Sequence, residues 1–300
     1  MAIRSRGPSA GFGWLGRGIS VGFRHPKPLF GGAFFLLLGI LLPTLITLPL
    51  QIHAMQAGTP MHPGAFVGLM GLSALLGLLV LPLYAGYLQI IDAVEQGRVA
   101  RAGDIIKPYV QGKALRLIGY GVVLWVVYLV MFGSVFVATG GGVAHWYMEA
   151  LSAQANHLPP PTALPDGFGM TLSLCGVLGI FMLGFYPISL GQVALGNRSV
   201  FGAIGDGLVG SLKNLLPLLM LVLGFVLAGI CFAICFGILA FLLAIIAKLI
   251  GAWLMIVLII PLYFALVLTL STVMFGVMYH LWRDVCGDDT ATGTAEPLAA

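Results

Sequence analysis

Six long apolar stretches divide the chain, and short connections with more polar character separate them. Each stretch has about 22 residues or more, which at 1.5 Å per residue is long enough for a helix to cross a hydrocarbon layer about 30 Å thick. We therefore predict six membrane-spanning helices. The predicted spans are Leu29–Leu50, Gly64–Ile91, Leu117–Gly140, Phe168–Gly196, Asn214–Ala247 and Leu249–Trp282.

Two shorter segments carry apolar residues at steps of three, four and four, which places them on one face of a helix. A basic residue, Arg24 or Lys213, directly follows each stripe. The stripes are Phe12, Leu15, Ile19 and Phe23, and Phe201, Ile204, Leu208 and Leu212. The segment Asp92–Arg116 is the third candidate of this kind, although its apolar residues do not repeat the same steps. Asp104 is placed to cap its helix.

These patterns predict an all-α integral membrane protein in which six transmembrane helices form three repeats of an amphipathic interfacial helix plus a transmembrane hairpin. The predicted divisions are a cytoplasmic N-terminal arm (1–28), a six-helix membrane domain (29–286) and a disordered cytoplasmic tail (287–300). Within the arm, we expect Trp14 to be an anchor at the level of the lipid headgroups.

Composition agrees with this architecture and excludes a soluble domain. Hydrophobic residues make up 60% of the chain, charged residues only 8%, and the mean hydropathy is +1.06, whereas about a quarter of the residues in a soluble domain are charged. If the chain crosses the membrane six times, thirteen of its fourteen Lys and Arg residues lie on the same side of the membrane, and only Lys248 lies on the other side. This asymmetry predicts that both termini lie in the cytoplasm.

The interiors of the predicted spans contain no Asp, Glu, Lys or Arg. Because an ionisable residue at the bilayer centre costs about 2.5 to 3.5 kcal/mol, such residues are kept mainly where function requires them. Their absence argues against a proton-coupled pump, a voltage sensor or a carboxylate-based intramembrane protease. Ser189 and His280 could suggest a serine protease, but their expected depths differ by about 9 Å. We therefore expect no enzyme activity and no cofactor.

A metal site is a less favoured hypothesis for the outer side of the membrane. His145 and Glu149 are four residues apart and share the face of a predicted short helix, Val143–Asn156, a geometry that metal sites use. The spacings of the remaining candidates match no known metal-site pattern. The full candidate set is His53, His62, His145, Glu149 and His157.

Spans two and four each contain a proline followed four residues later by a glycine, near their basic ends. A proline frees a backbone carbonyl, and neighbouring polar side chains could then bind a substrate, as they do in the broken helices of transporters. A kink satisfied by local packing is the favoured alternative. The candidate residues along this path are Pro82, Gly86, Gln89, Pro187, Gly191 and Gln192.

Short motifs carry a family resemblance. The sequences Trp14-Leu15 with Gly22-Phe23-Arg24-x-Pro26, and Ser199-x-Phe201 leading to Lys213-Asn214-x-x-Pro217, resemble those of uncharacterised six-helix inner-membrane proteins of proteobacteria. More loosely, they are similar to the membrane domain joined to some glycerophosphodiester phosphodiesterases. The resemblance implies an inner-membrane location and three helix-plus-hairpin repeats, but no phosphodiesterase activity, because no soluble segment is long enough to form that enzyme's barrel.

The leading functional hypothesis is a non-enzymatic scaffold or assembly factor that binds membrane lipids, another membrane protein or a second copy of itself through its basic segments. Arg17, Arg24, Lys113 and Lys213 are the candidate interface residues, since attraction to anionic headgroups contributes about 1 kcal/mol per basic residue near the surface. The alternative is a transporter or channel for a small neutral or lipidic substrate. We expect no nucleic-acid partner.

Overall fold

The computed structural model describes residues 3–56, 63–156, 158–251 and 253–287. Every regular element within these ranges is a helix. The elements are α1 (Ala10–Arg24), α2 (Pro26–Gln56), α3 (Pro63–Glu95), a 3₁₀ helix (Ala102–Ile106), α4 (Lys107–Val110), α5 (Ala114–Ala138), α6 (Gly142–Ala155), α7 (Phe168–Ala194), α8 (Val200–Lys213), α9 (Leu215–Ile250) and α10 (Trp253–Cys286).

Six of these helices, α2, α3, α5, α7, α9 and α10, are long and apolar enough to cross a membrane. Their membrane-length segments contain 24 to 32 residues and have mean hydropathies of 2.0 to 2.9. The prediction of an all-helical chain with six candidate spans is therefore confirmed. Helix α6 also forms where the sequence predicted a short helix between the third and fourth spans.

Helix α1 packs against α9 and α10 through three small residues, Gly11, Gly18 and Gly22, and through Trp14, Leu15 and Val21, all of which are buried. Gly11 lies against the backbone of α9, and Gly18 lies so close to α10 that an added Cβ would come 2.7 Å from the backbone nitrogen of Val277. Phe23, a member of the predicted apolar stripe, is 69% exposed. Helices associate in lipid mainly through small residues that allow close approach, and Phe12, Ile19 and Phe23 of the predicted stripe are left facing outward, whereas Leu15 is buried.

Helix α8 follows the same rule. Its N-terminus is capped by the Ser199 hydroxyl, which accepts a hydrogen bond from the backbone of Gly202 at 3.3 Å. Gly207 and Gly210 are buried against α7, whereas Phe201 is 76% exposed. The small residues of α8 therefore supply most of its contact with the bundle, together with Ile204, which is also buried.

The third predicted amphipathic segment takes a different form. It consists of the 3₁₀ helix and the single turn of α4, which pack against α2 and α3. Ile105 is fully buried, and its carbonyl sits so close to Gly86 of α3 that a Cβ at Gly86 would overlap it. Asp104 was predicted to precede this helix as its cap, but it lies within the 3₁₀ helix, where its carboxylate accepts the backbone N–H of the capping residue, Arg101, at 3.0 Å.

The N-terminal arm is tied to parts of the chain more than 200 residues away. The Arg4 backbone N–H donates to the Val285 carbonyl at 3.0 Å, and the Arg6 backbone N–H donates to Asn214 Oδ1 at 2.8 Å. Asn214 in turn donates to the Arg4 carbonyl at 3.0 Å. The arm thus links α8, α9 and α10. Because α2 begins at Pro26, the first long helix already includes the last three residues assigned to the arm.

One end of the bundle holds the N-terminal arm, α1, the 3₁₀ helix and α8. We call it the basic end. A buried tyrosine joins three spans there: the Tyr87 hydroxyl donates to the Leu29 carbonyl at 3.0 Å and lies 3.1 Å from the hydroxyl of Thr272. Toward the opposite end, α9 and α10 have few buried residues. The compact part of the described chain is therefore its basic end.

We predict that Gly18→Ala destabilises the protein by about 1 to 3 kcal/mol, because the new methyl group overpacks the contact with Val277. Gly16→Ala is the matched control on the same helix, since a Cβ there meets no atom within 4 Å. It should be neutral or stabilising by up to about 1 kcal/mol through helix propensity. Thermal unfolding in detergent measures both. Equal effects of the two substitutions would contradict the assigned face of α1.

Candidate functional site

Two openings near the basic half of the bundle are the candidate sites, and they differ in chemistry. A polar cleft of about 240 Å³ lies at the end of α3, and we call it the basic cleft. A second, larger opening between α3, α5 and α7 is apolar. The basic cleft is lined by Gln89, Asp92, Ala93, Arg98, Asp104, Lys107, Gln111, Lys113, Ala194 and Leu195.

Helix α3 and the turns that follow it position the basic cleft. Two glycines with left-handed backbone, Gly97 (φ +70°) and Gly112 (φ +69°), reverse the chain on either side of the 3₁₀ helix and α4. Gln89 Nε2 donates to the Ala194 carbonyl at 3.4 Å and so connects α3 to the end of α7. The cleft is therefore enclosed by segments that are distant in sequence.

The negative charge of each carboxylate in the basic cleft is already neutralised by a basic side chain. Asp92 pairs with Arg98 at 2.7 Å, and Asp104 pairs with Lys107 at 3.1 Å. Desolvation acts to raise the pKa of Asp104, but the Arg101 backbone N–H and the Lys107 ammonium outweigh it and leave the pKa below its ordinary value. Asp104 is therefore ionised at neutral pH and neutralises Lys107.

Lys113 supplies the additional positive charge of the basic cleft. It is exposed and precedes the first residue of α5. Its ammonium makes no hydrogen bond or ion pair with the residues that the structure describes. With three cations and two anions among the lining residues, the cleft has a net positive charge.

The other three residues of the predicted lipid or partner interface bind within the chain. Arg17 pairs with Asp284 of α10, and Arg24 lies 3.6 Å from Glu95 of α3. Lys213 donates to the carbonyl of Ile3 at 3.4 Å. These basic side chains connect helix ends at the basic end, and Lys113 differs from them because it faces the cleft.

Trp14 is fully buried, which corrects the prediction of a headgroup-level anchor. Its indole N–H donates to Asp284 Oδ2 at 2.8 Å, and Asp284 also accepts a hydrogen bond from Arg17. The partly buried carboxylate of Asp284 accepts the indole N–H, so the ring can pack inside the protein. Sequence reasoning missed Asp284 because its partners lie about 270 residues away.

The candidate substrate-path residues divide between packing and hydrogen bonding. Gly86 receives the 3₁₀ helix, and Gly191 receives the ring of Trp282. Gln192 donates to Asp206 at 2.8 Å, and that carboxylate also accepts from Arg198. The two glycines thus allow close helix packing, and Gln192 forms a hydrogen bond within the protein.

Pro82 and Pro187, by contrast, lie beside residues of the apolar opening. Leu81 and Tyr84 flank Pro82 on α3, and Tyr186 precedes Pro187 on α7; all three line the opening. The two prolines marked this region in the sequence, but the residues that face the opening are the aromatic and apolar neighbours of the prolines.

The candidate metal ligands do not form a cluster where the structure describes them. His145 and Glu149 line a cleft of about 690 Å³ together with Asp166. No group of three His, Cys, Asp or Glu residues with a geometry able to hold a metal occurs within the described ranges. His62 and His157 lie outside the described residues, as does the side chain of His53.

Ser189 and His280 have separate partners. The Ser189 hydroxyl lies 2.7 Å from the Tyr120 hydroxyl and donates to the Phe185 carbonyl. His280 is buried with its Nε2 4.0 Å from Glu95. The serine hydroxyl is thus occupied by a tyrosine and a backbone carbonyl, and the imidazole lies beside a carboxylate.

We predict that Arg17→Gln lowers stability by up to about 1 kcal/mol, because it removes a partly exposed ion pair with Asp284. Lys113→Gln should leave stability unchanged, since its ammonium has no such partner. The thermal unfolding midpoint of the two variants in the same detergent checks this division. A larger loss in the Lys113 variant would show that Lys113 has a structural role.

Comparisons of the chain with protein-family models, with curated proteins and with solved structures find no match. The resemblance to six-helix proteobacterial inner-membrane proteins therefore stays a prediction from its short motifs.

Proposed function

We propose that this chain is a non-enzymatic multi-pass membrane protein that binds phospholipid headgroups at its basic end and acts as a lipid- or partner-binding scaffold or assembly factor. The basic cleft is the observation that carries this proposal. Its net positive charge and its Lys113 ammonium suit the phosphate of a phospholipid.

The depth of the cleft supports a headgroup as its ligand. Helix α3 contains 33 residues, so it is about 50 Å long and exceeds a hydrocarbon layer of about 30 Å. Gln89 and Asp92 lie in its last two turns, next to the basic connection. A cleft at this height would meet the phosphates of the adjoining leaflet.

We propose the bacterial inner membrane as the location, with both termini in the cytoplasm. The support is the distribution of Lys and Arg, because thirteen of the fourteen lie on the side of the basic end. The cytoplasmic leaflet also carries the negative surface potential that attracts basic residues. The basic cleft would then face anionic lipids.

The three-repeat arrangement is also a proposal, and the packing of the short segments supports it. Each short segment contacts the hairpin that precedes it in a cyclic order: α1 contacts α9 and α10, the 3₁₀ helix contacts α2 and α3, and α8 contacts α5 and α7. The middle copy is shorter than the other two, because it contains a 3₁₀ helix and one α-helical turn.

We predict that Lys113→Gln weakens binding of phosphatidylglycerol about fivefold, which corresponds to the loss of about 1 kcal/mol from one basic residue. Lys27→Gln is the matched control, because Lys27 lies in the basic arm but does not line the cleft. Native mass spectrometry of lipid-bound protein, titrated in low salt, measures the two affinities.

Equal weakening by both substitutions would indicate diffuse attraction to the basic end and would overturn the role of the cleft. Binding that is unchanged in both variants would remove the headgroup proposal altogether.

We predict that a protease cleaves a C-terminal tag only after the inner membrane is opened. The reason is the charge asymmetry, which favours a cytoplasmic C-terminus. Protease treatment of intact and lysed spheroplasts, followed by detection of the tag, makes this measurement. Cleavage in intact spheroplasts would reverse the proposed orientation.

A further inference from the structure

The apolar opening between α3, α5 and α7, which we call the tyrosine groove, is a second candidate binding site. Its volume is about 630 Å³, within the range of small-molecule pockets. Trp125 and Leu129 in its wall are exposed, so the groove opens on the lipid-facing surface of the bundle. It is lined by Ala74, Gly77, Leu78, Leu81, Tyr84, Gly121, Leu124, Trp125, Tyr128, Leu129 and Tyr186.

Three tyrosine hydroxyls give this groove its polarity. The hydroxyls of Tyr84, Tyr128 and Tyr186 form no hydrogen bond with any residue in the described part of the chain. The hydroxyl of Tyr186 lies close enough to interact electrostatically with those of Tyr84, Tyr128 and Tyr120. At membrane depth no bulk water is available to them, and an unsatisfied hydroxyl in an apolar environment costs free energy. A ligand with hydrogen-bond acceptors would remove that cost.

The lining residues also limit the charge and shape of the ligand. None of them is Asp, Glu, Lys, Arg or His, so a charged head would have no counter-ion. Trp125, Tyr128, Tyr84 and Tyr186 supply aromatic rings, which favour stacking or edge contacts with a planar ring. Gly77 leaves open space on the α3 side, because a Cβ there meets no atom within 4 Å.

Other occupants satisfy these features less well. A plain acyl chain would cover the apolar wall but leave the three hydroxyls without acceptors. The backbone carbonyls of a neighbouring transmembrane helix are already used within that helix. A neutral molecule with a planar ring, carbonyl oxygens and an apolar tail meets all the requirements.

We propose that the tyrosine groove binds a lipid quinone, with tyrosine hydroxyls donating to the carbonyl oxygens of the ring and the prenyl tail extending into the lipid. The site shares no lining residue with the basic cleft. The proposal therefore does not depend on headgroup binding there.

Quenching of tryptophan fluorescence by decyl-ubiquinone tests the proposal on the full-length protein in lipid nanodiscs. Trp125 lines the groove, so the wild type should show saturable quenching, and most of this component should disappear in Trp125→Phe. Non-saturable quenching that is identical in both proteins would overturn the proposal, because it would indicate simple partitioning of the quinone into lipid.

Gly77→Leu is the variant that blocks the groove, and it should weaken quinone binding tenfold or more. Its side chain enters open space, so the fold is expected to be retained. Gly229→Leu is the matched control, because Gly229 also has open space and lies on α9, which contributes nothing to the groove. Equal affinities in the two variants would overturn the assigned site.

Tyr84→Phe and Tyr128→Phe keep the shape of the groove and remove one hydroxyl each. Each should weaken binding about two- to twelvefold, which corresponds to the loss of a hydrogen bond worth about 0.5 to 1.5 kcal/mol. Competition separates the ring from the tail: dodecane should not displace the quinone at equal concentration. Displacement by dodecane, together with unchanged affinity in both tyrosine variants, would show a groove that recognises only apolar chains and would contradict the quinone assignment.

Discussion

In a bilayer, burying apolar surface does little to hold helices together, because lipid tails are as apolar as leucine. Close packing must supply the attraction instead, and in this protein glycines make it possible. Gly18 of α1 and Gly276 of α10 face each other so closely that a methyl group on Gly276 would come 2.8 Å from the Gly18 carbonyl. In the same way, Gly86 of α3 lies directly against the 3₁₀ helix, and Gly207 of α8 lies directly against the side of α7. The contacts of all three short segments depend on residues without a Cβ.

Polar contacts reinforce this packing and concentrate at the same end of the molecule. Asp284, Asn214 and Tyr87 each connect segments that are far apart in sequence. Asp284 and Asn214 lie where the short segments meet the ends of the spans, and Tyr87 joins three spans to one another. This concentration gives the basic end a defined shape, and the basic cleft is part of it. The halves of α9 and α10 that lie farther from the basic end have no comparable set of contacts among the described residues.

The six spans could be predicted because hydropathy and length depend on local sequence alone. The orientation of the short helices could not, because a stripe such as Phe12 to Phe23 marks an apolar face without showing whether lipid or protein covers it. Trp14 was misassigned for the same reason: its partner, Asp284, lies at the far end of the chain.

The candidate sites show the same limit. Pro82 and Pro187 marked the right region of α3 and α7, but the tyrosine groove also requires Trp125 and Tyr128 of α5. Only the packing of three helices brings these residues together. Lys113 was identified from its charge, yet its difference from Arg17 and Arg24 became visible only when their ion pairs were located.

The central claim is that the compact basic end presents a cleft for a phospholipid phosphate. A cryo-electron microscopy structure of the protein in nanodiscs that contain phosphatidylglycerol tests this claim most directly. The account predicts lipid density in the basic cleft, with a phosphate within hydrogen-bonding distance of the Lys113 ammonium. A cleft closed by protein side chains, with ordered headgroups bound only elsewhere on the surface, would contradict it.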